Sequence, residues 1–391
     1  MNPNTKFASK SLLYLVIGLL LNVASLTAQD NKTDSKPNLK SMMRDTLDGQ
    51  LDFSRFLIDA HGFIPIPLIV TEPALGGFGF ALIPVFITPP KSKFATKRTP
   101  PDITGAIAMY TANDSWLLGG FRLASIPKWS MKYRVALAYA DMNLSFYRDV
   151  MNIGEKEFQF NFISKPVLLS LSKKISRQEV YFGLQYMYLK SNIKPLFSEE
   201  LPDPIEEKEL NSAAATFSPF LDWDRRDNTF TPDHGAIIRL QYDFNDDWTG
   251  SDYTFQRLYG NLNWFFPVKR RWVSGLRAEV QHAFQDPPFY MLPYINLRGI
   301  PTFRYQGQTT ALIETEQRFD LNLRWSVLGF AGYGKTIQQT ESSQEGQSVY
   351  NVGGGFRYLI ARAFKVRAGI DVGFGPDSWG YYIVFGHNWN R

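Results

Sequence analysis

The sequence contains no cysteine in 391 residues. That excludes disulfides, thiolate metal sites, a cysteine nucleophile and a lipid-modified cysteine behind a leader. Histidine is nearly as scarce. His61, His234, His282 and His387 are the only four, and none stands with a serine or carboxylate in a spacing suited to nucleophilic or acid–base chemistry. We expect no enzyme, and girdle or solvent-exposed roles for these histidines. No acidic cluster has ligand spacing, and Gly353-Gly354-Gly355 is followed by no helix, so neither a metal nor a nucleotide cofactor is expected. The net charge of +5 comes without a basic block, which argues against nucleic acid as a partner. Long apolar runs are missing too. The longest, Leu12 to Leu21, spans ten residues, where a membrane helix needs about 20.

What remains is rich in rings: 19 Tyr, 31 Phe and 9 Trp make up 15% of the chain, against 20% charged residues and a mean hydropathy of −0.22. An outward apolar belt with aromatic girdles and a polar lumen has this composition, and without an apolar helix a bilayer can be crossed only by a closed barrel. Lys6 and Lys10, the apolar run and Thr27-Ala28-Gln29 read as a signal peptide over residues 1–28, cut after Ala28. A membrane anchor is the other reading, but Asn22 interrupts the run. Residues 29–58, beginning with Asn31, Lys32, Asp34 and Lys36, are expected to form a flexible periplasmic leader, too short for a folded domain. Residues 59–391 are assigned to the barrel.

From His61 onward, segments of alternating polarity are separated by turn residues. They predict sixteen antiparallel strands near 61–71, 76–88, 102–112, 115–125, 130–148, 156–174, 178–191, 209–223, 233–245, 252–266, 271–284, 309–322, 324–335, 348–359, 364–374 and 379–389. The fold class is therefore all-β, a transmembrane barrel of about sixteen strands. Lys365, Arg367, Gly369 and Asp371 alternate with Val366, Ala368, Ile370 and Val372, a period of two that suits water on one face and lipid on the other. Long connections near 192–208, 285–308 and 336–347 all fall at one end and short ones at the other, as an outer-membrane barrel requires. The connection from Pro89 to Pro101 is the exception. The acidic stretch from Glu199 to Glu209 reads as a solvated outer loop.

Four patterns, in order along the chain, resemble the BamA/TamA family of outer-membrane assembly and translocation barrels, in a short form without POTRA domains. Pro65-Ile66-Pro67 and Thr71-Glu72-Pro73-Ala74-Leu75-Gly76-Gly77-Phe78-Gly79 look like the first hairpin of small members. Asp224, Arg226 and Asp227, with Pro232 and Gly235, are similar to the family's D-x-R-D…P-x-x-G inner turn, although turn chemistry alone would also explain them. Leu297-Arg298-Gly299-Ile300 stands where the family has V-R-G-[FY], in the sixth outer loop. The C-terminal stretch, with Tyr381, Phe385, Gly386 and Trp389, is similar to the signal read by the outer-membrane assembly machinery during biogenesis.

The resemblance implies that the sixth loop folds into the lumen and that Arg298 meets a carboxylate on the wall. A guanidinium can make two parallel hydrogen bonds there. Glu314, Glu316, Arg318 and Asp320 share one face of the twelfth strand, so Glu316 is the preferred partner and Glu314 the second. The acidic residue that many relatives carry on the next strand is missing, since the chain reads Phe330-Ala331-Gly332-Tyr333-Gly334. The expected function is to help insert or transport protein or lipid at the cell outer membrane. Outer-membrane lipid is an expected partner, with a protein or lipid client. The mechanism would use a weak seam between the first and last strands, because Pro65 and Pro67, two residues apart, withhold their N–H groups from the same neighbour. That neighbour could be the last strand; otherwise both prolines face the second strand or sit below the membrane, where water satisfies the partners. The alternative function is a passive or gated pore for small solutes.

Overall fold

The computed structural model describes residues 43–59, 63–88, 92–94, 102–150, 154–198, 201–202, 205–339 and 344–389. The proposed signal peptide, His61 and most of the Pro89–Pro101 connection lie outside them. Sixteen strands of seven residues or more follow one another: β1 (Phe63–Val70), β2 (Gly79–Thr88), β3 (Asp102–Thr111), β4 (Trp116–Ile126), β5 (Met131–Val150), β6 (Gly154–Ser176), β7 (Val180–Pro195) and β8 (Asn211–Asp224). The second half comprises β9 (Gly235–Asn245), β10 (Phe255–Lys269), β11 (Trp272–Phe284), β12 (Thr309–Asp320), β13 (Trp325–Gln339), β14 (Ser348–Ala361), β15 (Val366–Phe374) and β16 (Trp379–Phe385). Each pairs antiparallel with the next. The result is a nearly closed antiparallel barrel.

Its side chains are arranged inside out relative to a water-soluble protein. On β11, Ser274, Arg277, Glu279 and Gln281 are buried, while the intervening Val280 is exposed. On β6, Val167, Leu169, Leu171 and Ile175 face outward. A polar group is buried at low cost only when it is paired, and Arg277 is held by Glu279 at 2.7 Å. The exposed apolar side chains need a solvent other than water.

Prolines inside strands show where the sheet is complete. The β2–β3 register skips Ile83 and Pro84, β5–β6 skips the positions beside Pro166, and β8–β9 skips those beside Pro219. In each case a missing N–H faces the neighbouring strand and breaks the ladder there. Pro65 lies directly opposite Pro84, yet β1–β2 runs unbroken from Phe63 to Val70. Since Pro84 faces β3, that pair exchanges no hydrogen bonds. The nitrogens of Pro65 and Pro67 therefore point away from β2, toward the free edge. β16 lies against that edge, but among the described residues no register joins the two.

Two boundaries differ from expectation. The last strand ends at Phe385 instead of 389, because Gly386 adopts a positive φ of 84° and turns the chain inward. Part of the expected free leader is folded. Helix α1 (Ser54–Asp59) and the residues before it are held at the short-turn end by Asp45, Asp48 and Asp52, all bonded to Arg324. A thirty-residue segment lacks a core of its own, but here it borrows one partner from the β12–β13 turn and another, Arg362, from the β14–β15 turn.

Candidate functional site: a three-carboxylate socket in the lumen

The connection between β11 and β12 is long, and its apolar residues have somewhere to go. Ile295, Leu297 and Ile300 are buried against Leu312 on β12 and Val349 on β14. Phe289 and Phe303 pack on Phe146 of β5, with ring centroids 4.8 and 4.9 Å apart. The backbone N–H of Phe289 donates to Glu209 at 2.9 Å, and that of Thr302 donates to Glu72 at 3.2 Å. Arg304 reaches Glu155 at 2.6 Å. The loop thus touches the wall at β5–β6, near β8, at β12–β16 and beyond β1. Glu209 was expected in a solvated stretch and is instead buried, since it holds this loop.

At the loop's centre Arg298 is 1% exposed. Its Nε and Nη2 donate to Glu314 Oε1 at 3.1 and 2.9 Å, while Nη1 donates to Glu316 at 2.7 Å and to Asp371 at 2.8 Å. The guanidinium lies 3.5 Å from the ring centroid of Phe330, a cation–π contact that strengthens when water is excluded. The expected order of partners is reversed: Glu314, wholly buried and bonded twice, is the main acceptor and Glu316 the rim. Glu314 also takes Arg277 at 3.4 Å and the indole N–H of Trp389 at 2.7 Å.

The missing acid of β13 has a physical replacement. Its place is taken by Gly332, where an added Cβ would stand 2.9 Å from Leu297 and 2.6 Å from Asn351. The position gives room instead of charge. The charge comes from Asp371 on β15, itself held by Arg357 at 2.5 Å. Gly299 has φ of 88°, and a Cβ there would stand 2.6 Å from the carbonyl of Gly373, so only glycine lets the loop lie against β15. The hydroxyl of Tyr382 accepts from the N–H of Gly299 at 2.8 Å. Asp371, Phe330, Gly373 and Tyr382 were not identified from sequence as socket residues. The inward parity of Asp371 was legible, but its distance from Arg298 was not.

The inner-turn motif also joins distant parts of the barrel. Arg226 is chelated by Asp224 at 2.9 and 2.7 Å, and Asp227 accepts the N–H groups of Asp233 and His234. Asp233 pairs with Arg318 of β12, and Lys365 bridges Asp227 and Asp233 at 2.9 and 2.8 Å. The β8–β9 turn therefore reaches the opposite wall. Burial pushes the Asp227 and Asp233 carboxyls up, but Lys365 and the other hydrogen bonds outweigh it and leave both below the usual carboxylate range. Tyr381 and Phe385 face outward on β16, whereas Trp389 is buried against Phe265 and Gly275. His387, expected exposed or in a girdle, is buried beside it.

Comparison with known proteins supports this architecture. Residues 125–296 match the model of the Omp85 superfamily domain. A search of curated protein sequences gives no match. Among solved structures, the chain is similar to BamA from Haemophilus ducreyi lacking POTRA domains 1–3, at TM-score 0.56 and 11% identity over 83% of this chain and 69% of that one. It is similar to CdiB from Escherichia coli at TM-score 0.57 and 11% identity, covering 82% of this chain but only 62% of that one. CdiB from Acinetobacter baumannii gives 0.56 and 11%, over 90% and 72%. Residues 125–296 thus match an Omp85 superfamily domain, and the fold of the whole is that of a BamA-like β-barrel.

Proposed function

We propose that this barrel works in the cell outer membrane, where it helps insert or move polypeptide or lipid through the seam between β1 and β16, with loop 285–308 as a plug latched by Arg298. The observation that carries the reading is the orientation of Pro65 and Pro67, whose nitrogens face an edge that no strand pairs among the described residues. In hydrocarbon each unsatisfied backbone group costs several kcal/mol, so an edge missing two donors separates more easily than a complete ladder. The socket supports the plug: three carboxylates converge on one buried guanidinium, an arrangement far beyond what a solvated loop needs. The reading includes no catalytic step.

The test is Pro65→Val with Pro67→Val, which restores two donors. Cysteine pairs across the seam should cross-link faster in the variant, and transport of a polypeptide or lipid by reconstituted protein should slow. Unchanged cross-linking and transport would remove the seam from the mechanism. A pore for small solutes would instead require a water path past the loop, the β8–β9 turn and Trp389. Freely open conductance of the parent in planar bilayers would favour that reading over the plugged one.

A further inference from the structure

Two groups of cations stand out at the short-turn end, apart from exposed Arg44, Arg55 and Lys93. On the β12–β15 side every one that enters the inner mouth has a carboxylate: Arg318 and Lys365 with Asp233, Arg324 with Asp52, and Arg367 with Asp320 at 3.4 Å. On the β4–β10 side, Lys128, Lys173, Arg177, Arg225, Lys269 and Arg270 are exposed, and among the described residues none has a carboxylate within ion-pair distance. They lie in, or at the strand ends beside, four consecutive connections at one end, β4–β5, β6–β7, β8–β9 and β10–β11. Alternate hairpins stand about 10 Å apart, so the arc spans roughly 30 Å.

The same residues border the apolar belt. Lys128 adjoins Trp129, which is exposed, and Lys173 lies directly opposite outward-facing Phe182. Arg270 follows outward-facing Trp264 and Val268. Along β6 the outward face reads Lys165, Val167, Leu169, Leu171, Lys173 and, at its end, Ile175. Eight residues at about 3.3 Å each and a tilt near 40° place the two lysines about 20 Å apart along the membrane normal. That is close to the thickness of the apolar band once the lysine stems extend to its edges. An aromatic ring beside a long cationic side chain is the pattern of a headgroup boundary.

We infer that this arc is a binding surface for the anionic phosphodiester headgroups of phospholipids in the leaflet at the short-turn end, and that it fixes the β4–β11 wall in the bilayer. The inference rests on the membrane location proposed above. Clustered cations at a membrane surface attract anionic lipid additively and lose that attraction as salt screens it.

The test uses the full mature chain reconstituted in phosphatidylcholine vesicles containing a minor fraction of phosphatidylglycerol, with bromine on the acyl chains of one lipid or the other. Quenching of tryptophan fluorescence then reports which lipid neighbours the belt. The parent should favour brominated phosphatidylglycerol several-fold over its mole fraction. K128S/K173S/R177S/K269S/R270S, with strand pairing verified by circular dichroism, should bring the ratio to near one, as should high salt. Equal quenching by both lipids in the parent, or an undiminished preference in the variant, would overturn the inference while leaving membrane insertion intact. No quenching by either lipid would instead overturn the membrane location. Saturable binding of an acidic protein that displaces phosphatidylglycerol from the parent would assign the arc to that partner and overturn the lipid assignment.

Discussion

Replacing Arg298 by Ala removes four hydrogen bonds to Glu314, Glu316 and Asp371 together with the contact to Phe330. Breaking a buried ion pair by deleting one partner costs about 3–5 kcal/mol, because the remaining charge is left uncompensated. Here the lower end applies. Glu314 keeps Arg277 and Trp389, and Asp371 keeps Arg357, so Glu316 alone loses every strong partner. A loss of about 3 kcal/mol corresponds to about a 100-fold larger population of the undocked loop. Hydrogen exchange measures this directly. The amides of Ile295 and Ile300, which donate to Tyr305 and Leu297, should exchange about 100-fold faster in the variant, while amides of β6 should not change. Arg298→Lys keeps the charge but loses the fork, and should fall between the two. Conductance should rise less than exchange, because the β8–β9 turn and Trp389 still obstruct the other end. Unaltered exchange at Ile295 and Ile300 in Arg298→Ala would show that apolar packing, not the latch, holds the loop, and would refute this reasoning.

Three further outcomes follow from the geometry. Glu314→Gln should loosen the loop more than Glu316→Gln, since Glu314 is fully buried and serves Arg298, Arg277 and Trp389 together; equal exchange rates in the two variants would contradict the assigned hierarchy. Gly299→Ala forces a Cβ against Gly373 at a positive φ, and should destabilise loop docking by roughly 1–3 kcal/mol, read as faster cleavage of residues 295–303 by added protease. At the N-terminal strap, the hydrogen bond from Arg362 holds Asp45 far below the usual carboxylate range, and that from Arg324 lowers Asp48. A carboxylate depressed on folding stabilises the docked state above its unfolded pKa near 4 and loses that contribution as pH falls toward its folded pKa. The strap should therefore resist proteolysis from neutral pH down to about 4 and become cleavable below it; release between pH 7 and 5 would show that these carboxylates are not the clasp.

Strand number and strand position were readable from sequence because the membrane imposes them. A period of two with apolar and polar faces cannot be satisfied by a helix, and turn residues punctuate it every ten to twenty positions. The prolines at 65 and 67 show the limit of that reading. Their spacing revealed that both nitrogens face one side, but only the register opposite Pro84 revealed which side. The socket divides in the same way. Arg298, Glu314 and Glu316 carry a local pattern, so motif and strand parity brought them together. Asp371 lies 73 residues further on, and its role depends on β15 standing two strands beyond the glycine that replaced the expected acid. The strap and Trp389 were misread for a related reason: Asp45, Asp48 and Asp52 look like a solvated leader until Arg324 arrives from a turn some 270 residues away, and a terminal aromatic looks like strand until Gly386 turns it inward. Sequence determined what each face of each strand must be, since that is set by the solvent on either side. Only the nearly closed barrel decided which inward charges meet, because in a cylinder the neighbours of a side chain are fixed by register and curvature and not by distance along the chain.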